Sequence, residues 1–336
     1  MPILLFLVIS FATAAAGQVR QGAFSAHALD SRVRARIEGF SGAVSLYARH
    51  LETGESYGIR PDERVRTAST IKLPILVAVF AAVEAGEASW TDRLDLSALE
   101  RAGGSGVVRE MSEGLKLPLR DLARLMIVVS DNTATNMILE RFTGDYVNSV
   151  MDRLGLPQTR SLRKILGDRG PQGISEAGRI PDNERFGIGV STPREMVDLL
   201  ERIERGEAVS PEASREMIAI LKRQQFKDGI GRHMPHPVAS KSGALDALRS
   251  DVGIVYTPRG PVAIAMTVDG MKTDYSPDNA GNKLISDVAR ILVEELTKPK
   301  APPAVAFVLP EESRPGWGRR QAAFLEAERA GIAGQR

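Results

Sequence analysis

The chain has 336 residues, enough to bury a large core in one domain or two, with an ordinary 43% hydrophobic and 26% charged content. Its formal net charge of +2, with no basic run interleaved with aromatics, excludes a nucleic-acid binder of the usual kind. The absence of cysteine excludes disulfides, thiolate catalysis, zinc–thiolate sites and a lipid on an N-terminal cysteine.

The N-terminus reads MPILLFLVISFATAAAGQ. Ile3 to Ala12 is apolar apart from Ser10, and Ala14, Ala15 and Ala16 supply an A-x-A exit. This reads as a secretory signal peptide over residues 1–17, although its n-region lacks Lys and Arg. The run is too short to span a membrane. Export without disulfides fits a bacterial-type periplasm.

Phe24 to Glu38 has helical periodicity, through Phe24, Ala28, Leu29, Val33 and Ile37. Gly42 to Leu51 and Ser56 to Ile59 read as strands joined by the turn ETGE. From Thr70 to about Ala85 the chain is apolar nearly all round, the mark of a helix buried on every side. Ser69 stands at its start as a candidate N-cap, and Lys72 follows three residues later on the same face. Burial and the helix dipole both lower a lysine's pKa there. A neutral Lys72 could accept the proton of Ser69, which is how a hydroxyl becomes a nucleophile.

S-x-x-K alone occurs by chance about once in a chain of this size. A second copy, Ser161 to Lys164, lies in a polar stretch and reads as chance. The first has company. Ser130, Asp131 and Asn132 fall between two apolar helical runs, and Lys241, Ser242 and Gly243 follow the apolar start of a strand, VASKSGAL. Taken singly, S-D-N is a capped helix connection and K-S-G a strand end. TPRE, Thr192 to Glu195, reads as a capping box with proline at the first helical position. HMPH, with His233 and His236, lacks a third ligand and reads as a loop. DVGIVYTP and PVAIAMTVDG add two more strands, and NKLISDVARILVEEL a closing helix. Strands therefore flank a helical middle. After Lys298, a proline-rich linker and a loosely ordered tail fill 299–336, leaving 18–298 as the catalytic domain.

The three motifs in this order resemble the serine β-lactamase and penicillin-binding superfamily, most closely its class A branch. The resemblance covers roughly Ser25 to Thr297 and extends to GLKLPLRDLARLMIVVSDNTATNMI and VSTPREMVDLL. It implies an α/β (α+β) transpeptidase-like fold: an antiparallel sheet flanked by N- and C-terminal helices, with an inserted all-helical lobe. It implies a monomer that takes a β-lactam and needs no cofactor or metal. It also implies roles. Ser69 attacks the lactam carbonyl, Lys72 supports proton removal, and Ser130 passes a proton to the departing nitrogen. Asn132 contacts the substrate amide and holds Lys72, while Lys241 and Ser242 face the substrate carboxylate. The N–H groups of Ser69 and Ala244 form the oxyanion hole, and Gly243 leaves room along the strand.

The family's Glu-x-x-Leu-Asn, which supplies the acid for deacylation, is missing from Ser161 to Pro193. The best substitute is Glu176 in SEAGR, followed by Asp168 and Glu184. Counting back from Thr192 and Pro193 puts Glu176 at that place. Counting back from IPDNER puts Gly173 there. A D,D-peptidase or esterase, or a penicillin-binding protein that acylates and stalls, remains the alternative function.

Overall fold

Every strand of the main sheet was legible as an apolar or alternating run, and all five pair antiparallel in the computed structural model, which describes residues 27–165 and 173–299. Helix α1 covers 27–37. Strands β1 (Ala43–His50) and β2 (Ser56–Ile59) form the first hairpin. The short strands β3 (Val65–Arg66), β4 (Arg93–Asp95), β5 (Lys116–Pro118), β6 (Arg160–Ser161) and β7 (Gly189–Ser191) lie among the helices α2 (Lys72–Glu84), α3 (Leu119–Val128), α4 (Asn132–Arg153), α5 (Pro193–Arg205) and α6 (Pro211–Lys222). Then come β8 (Val238–Leu245), β9 (Leu248–Thr257), β10 (Gly260–Asp269) and α7 (Ala280–Leu296).

The main sheet has the order β2-β1-β10-β9-β8, so β8 is an edge. Its strands alternate between two cores. Val44, Leu46, Val262, Ile264 and Val268 meet Leu29 and Val33 of α1 and Leu284, Val288 and Leu292 of α7. The opposite face, through Tyr47, Val252, Ile254, Ala263 and Ala265, meets the helical lobe built around α2. This is the expected α+β architecture, with α2 buried almost completely at its centre.

Three local features differ from the sequence reading. Ser69 does not cap α2: Ala68–Ile71 form a 3-10 turn, and α2 starts at Lys72 with Ile71 before it and no side-chain cap. The tighter turn stacks residues three apart, so Ser69 and Lys72 still share a face. The capping box at TPRE is half formed. Thr192 Oγ1 accepts from Glu195 N–H at 3.1 Å, but the Glu195 carboxylate turns away to Gln158 N–H and Thr159 Oγ1. Finally, β3, β6 and β7 make a small second sheet and β4 and β5 a ribbon. Strands of two or three residues carry no readable alternation.

Candidate active site

Lys72 is completely buried. Its Nζ donates to Ser130 O at 2.8 Å, Ser130 Oγ at 3.1 Å and Asn132 Oδ1 at 2.7 Å. Three protons thus meet three acceptors, which leaves a charged ammonium fully hydrogen-bonded. Burial is nevertheless the larger influence and, with the charge of Lys241, pushes Lys72 well below the usual lysine range; Asp131 pulls the other way. A neutral Lys72 would have two protons and a lone pair, and the Ser130 hydroxyl beside it could then donate instead.

The α3–α4 junction holds this arrangement in place. Ser130 takes a left-handed backbone, φ +52°, which costs a non-glycine residue on the order of 1–3 kcal/mol and persists only where surroundings impose it. What imposes it is Asp131, 1% exposed, the N-cap of α4. Its Oδ1 accepts from Ala134 N–H at 2.9 Å and its Oδ2 from Val107 N–H at 2.6 Å and Val108 N–H at 2.9 Å. Gly106, φ +110°, packs against that carboxylate, where any side chain would collide with it. Asn132 gives its Nδ2 to Gly103 O at 2.7 Å. The expected contact to Lys72 is therefore present, while a substrate would compete with Gly103 for the amide nitrogen.

The second wall is β8. A side chain at Gly243 would lie 2.8 Å from Thr67 O and 3.0 Å from Ser69 N, so only glycine lets the strand reach the turn that carries Ser69. Ala68 in that turn is also left-handed, φ +47°. Lys241 is fully buried, donates to Ser242 O at 2.7 Å and is pushed down to about 7 by burial, against the pull of Asp251.

Ser69, Ser130, Ser242, Gly243 and Ala244 line one cavity of about 300 Å³, with the two lysines buried behind its walls. Three hydroxyls, a backbone N–H at the turn and two lysines of lowered pKa are the parts that acyl transfer to serine needs.

Glu176 is not brought to this place. It precedes a short 3-10 turn, its N–H donates to Asp145 Oδ1 at 2.8 Å, and its side chain is exposed. Glu184 is exposed as well, and Asp168 lies outside the described residues. Where the chain leaves β6, Asn136 Oδ1 accepts from Ile165 N–H at 2.8 Å, and Lys164 pairs with Glu140. No described carboxylate of Ser161 to Pro193 lines the cavity. Among the described residues, no three His, Cys, Asp or Glu side chains could hold a metal, and no helix is long and apolar enough to cross a membrane.

A family model described as "Beta-lactamase enzyme family" matches residues 28–296. A solved β-lactamase from Sphaerobacter thermophilus superposes with a TM-score of 0.70 at 32% identity, over 81% of this chain and 98% of that one. A leucine-to-glutamate variant of PBP-A, captured as an acyl-enzyme complex with penicillin G, gives 0.68 at 27% identity, over 80% and 96%. The regulatory protein BlaB of Streptomyces cacaoi is 26% identical over 290 residues, 75% of this chain and 92% of its own length.

Proposed function

This chain belongs to the β-lactamase enzyme family, and from that premise we propose that it is an exported, class A-like serine hydrolase that opens the β-lactam ring through a Ser69 acyl-enzyme. One observation carries the reading: Lys72, buried and pushed toward neutrality, is hydrogen-bonded to Ser130 and stacked one 3-10 turn from Ser69. Ser69 Oγ attacks the carbonyl carbon while its proton passes to Lys72. The tetrahedral oxygen is met by the N–H groups of Ser69 and Ala244. As the C–N bond breaks, Ser130 gives its proton to the nitrogen and regains one from Lys72. Lys241 and Ser242 hold the substrate carboxylate, and no cofactor takes part. Residues 1–17 serve as the signal for export to the periplasm, 18–298 as the catalytic domain and 299–336 as linker and tail.

Deacylation is the step in which a second reading has support. No described acid of the 161–193 region reaches the cavity, which favours a slow hydrolase: a penicillin-binding protein or D,D-peptidase on the same scaffold. Incubation with penicillin G followed by intact-mass analysis tests acylation. Either a single covalent adduct or loss of the penicillin by hydrolysis, both absent in Ser69→Ala, is expected, and the absence of adduct and hydrolysis alike would remove the proposal. Steady turnover of a chromogenic cephalosporin then marks a β-lactamase that confers resistance, and a stoichiometric burst that stalls marks the second reading.

The exposed side chain of Glu176 gives a separate expectation. Glu176→Gln should leave acylation and turnover within about two-fold, as for surface substitutions generally. A turnover loss of about a hundred-fold or more, the scale of a lost general base, would restore Glu176 as the acid.

A further inference from the structure

The cavity continues past Ser242 to a wall built from β9 and the start of α7. Asp251 stands directly across the β8–β9 ladder from Ser242, so the two side chains lie side by side on one face, with roughly 5 Å between their Cβ atoms. Asp251 is 1% exposed. Its Oδ2 accepts from Ile230 N–H at 2.8 Å, and Gly229 packs so closely on the carboxylate that a side chain there would collide with it. Its Oδ1 is buried and makes no hydrogen bond of normal geometry, with the Val252 N–H the further backbone group that favours the charged carboxylate. Half-buried Asp228 lines the same wall.

The neighbouring cations act on Asp251 through charge at most, and their hydrogen bonds go elsewhere. Lys241 donates to Ser242 O, and Arg249 donates to the carbonyls of Leu245, Leu248 and Asp274. A buried acceptor without a donor costs about 1–3 kcal/mol, so this oxygen favours a ligand that brings a donor or a positive charge. Phe226 and Tyr275, 42% and 73% exposed, border the same part of the cavity and offer aromatic faces to a cation.

We propose that Asp251, with Asp228 beside it, forms a subsite for a cationic group on the departing side of the substrate, next to the place of the substrate carboxylate. The placement rests on the acyl-transfer reading given above. In a cephalosporin the C-3 substituent is attached to the carbon next to the one bearing the carboxylate. A pyridinium or ammonium there would lie against the wall that holds Asp251 and feel its charge, and a neutral or anionic group would not gain from it. Asp251 is the specificity-determining residue of the pair, since its free oxygen is held inside the wall.

Burial pushes Asp251 up to about 7, against the Ile230 and Val252 N–H groups and the charge of Lys241, with Asp228 adding to the rise. The carboxylate is therefore charged above that point and neutral below it, and the preference for a cation should grow as pH rises. Lys241 loses charge over the same range. Two ligands with the same carboxylate feel that loss equally, so their ratio isolates Asp251.

Cephaloridine and cephalothin are such a pair: both carry the thienylacetamido group and the carboxylate, with pyridinium against acetoxy at C-3. Their dissociation constants are measured by calorimetry on the full chain carrying Ser69→Ala, which needs no chemistry at the serine. The expected result is cephaloridine bound about ten-fold more tightly at about pH 8, the scale of one charge pair near a surface, with the advantage shrinking toward about pH 6. Asp251→Asn should bring the ratio close to one while cephalothin binding stays within a few-fold. A ratio near one at the higher pH, a ratio insensitive to pH, or no binding of either compound overturns the subsite. If Asp251→Asn does not fold, Asp228→Asn and the pH series of the parent chain still decide it. Acylation of the wild-type chain by penicillin G is read separately. A preserved ratio without acylation leaves the subsite standing and removes the acyl-transfer reading, and the converse removes only the subsite.

Discussion

Lys72→Met should slow acylation by a chromogenic cephalosporin at least about a thousand-fold, within the range that a positioned proton acceptor contributes. Methionine fills nearly the same volume, so the loss is one of chemistry rather than packing. Two consequences separate. The serine loses the only basic nitrogen on its face of the turn, and Ser130 Oγ loses the partner from which it would be reprotonated. The variant also strands Ser130 O and Asn132 Oδ1, both now served by Nζ, so a drop in melting temperature is expected as well. Stopped-flow acylation and thermal melting on the same sample keep the two effects apart. The pH dependence has a definite sign. Because burial and Lys241 hold the amine below the ordinary lysine range, its neutral fraction grows with rising pH, and acylation should climb on the acid side and level off above the depressed value. A fall of less than about ten-fold in Lys72→Met would mean that the Ser69 proton goes elsewhere.

Asp131→Ala should cost the fold about 3–7 kcal/mol, counted as one lost N-cap of about 1 kcal/mol and two further buried N–H groups left unpaired at about 1–3 kcal/mol each. The three N–H groups are those of Ala134, Val107 and Val108. Against a total stability of about 5–15 kcal/mol this is a large fraction. For a domain of this size it corresponds to a fall of roughly 10–20 °C in melting temperature. Asp131→Asn, which keeps one acceptor oxygen, should recover part of the loss. The activity should fall with the stability, since the same carboxylate fixes the strained Ser130; loss of its charge alone would lower Lys72 further and enlarge that amine's neutral fraction, so the fall reports the lost positioning of Ser130. A loss below about 1 kcal/mol would show that the loop before α4 is not held by this residue.

How much of this was legible in the sequence depends on what each part rests on. Long periodic segments announced themselves: β1, β9, β10, α2 and α7 follow from runs of Val, Ile, Leu and Ala, and their pairing follows the two-core alternation. Ser69, Lys72, Ser130 and Lys241 were legible as short words in order, and the structure supplies the hydrogen bonds among some of them. The 3-10 turn at Ser69 was not readable, because serine before an apolar run favours an N-cap equally well. The place of Glu176 was not readable either. Loop geometry is set by contacts distant in sequence, here Asn148 with Ser161 and Ser175 with Leu162, and two anchors gave two answers. Asp251 escaped notice because one aspartate within a strand reads as an outward-facing charge, and only the β8–β9 register places it beside Ser242. The Gly229–Ile230 segment, distant in sequence, covers its carboxylate.

The bare backbone at position 243 has a mechanical consequence. With nothing larger than hydrogen between β8 and the peptide of Ser69, a shift of the sheet's outer edge would press on the backbone that carries the Ser69 hydroxyl. A peptide or drug that adds itself to that edge as an extra strand would tug on the reactive centre directly. An effort to widen the cleft by engineering would have to loosen the opposite bank, where Gly106 and Asp131 hold the helical lobe, because any bulk added at the edge displaces the serine itself.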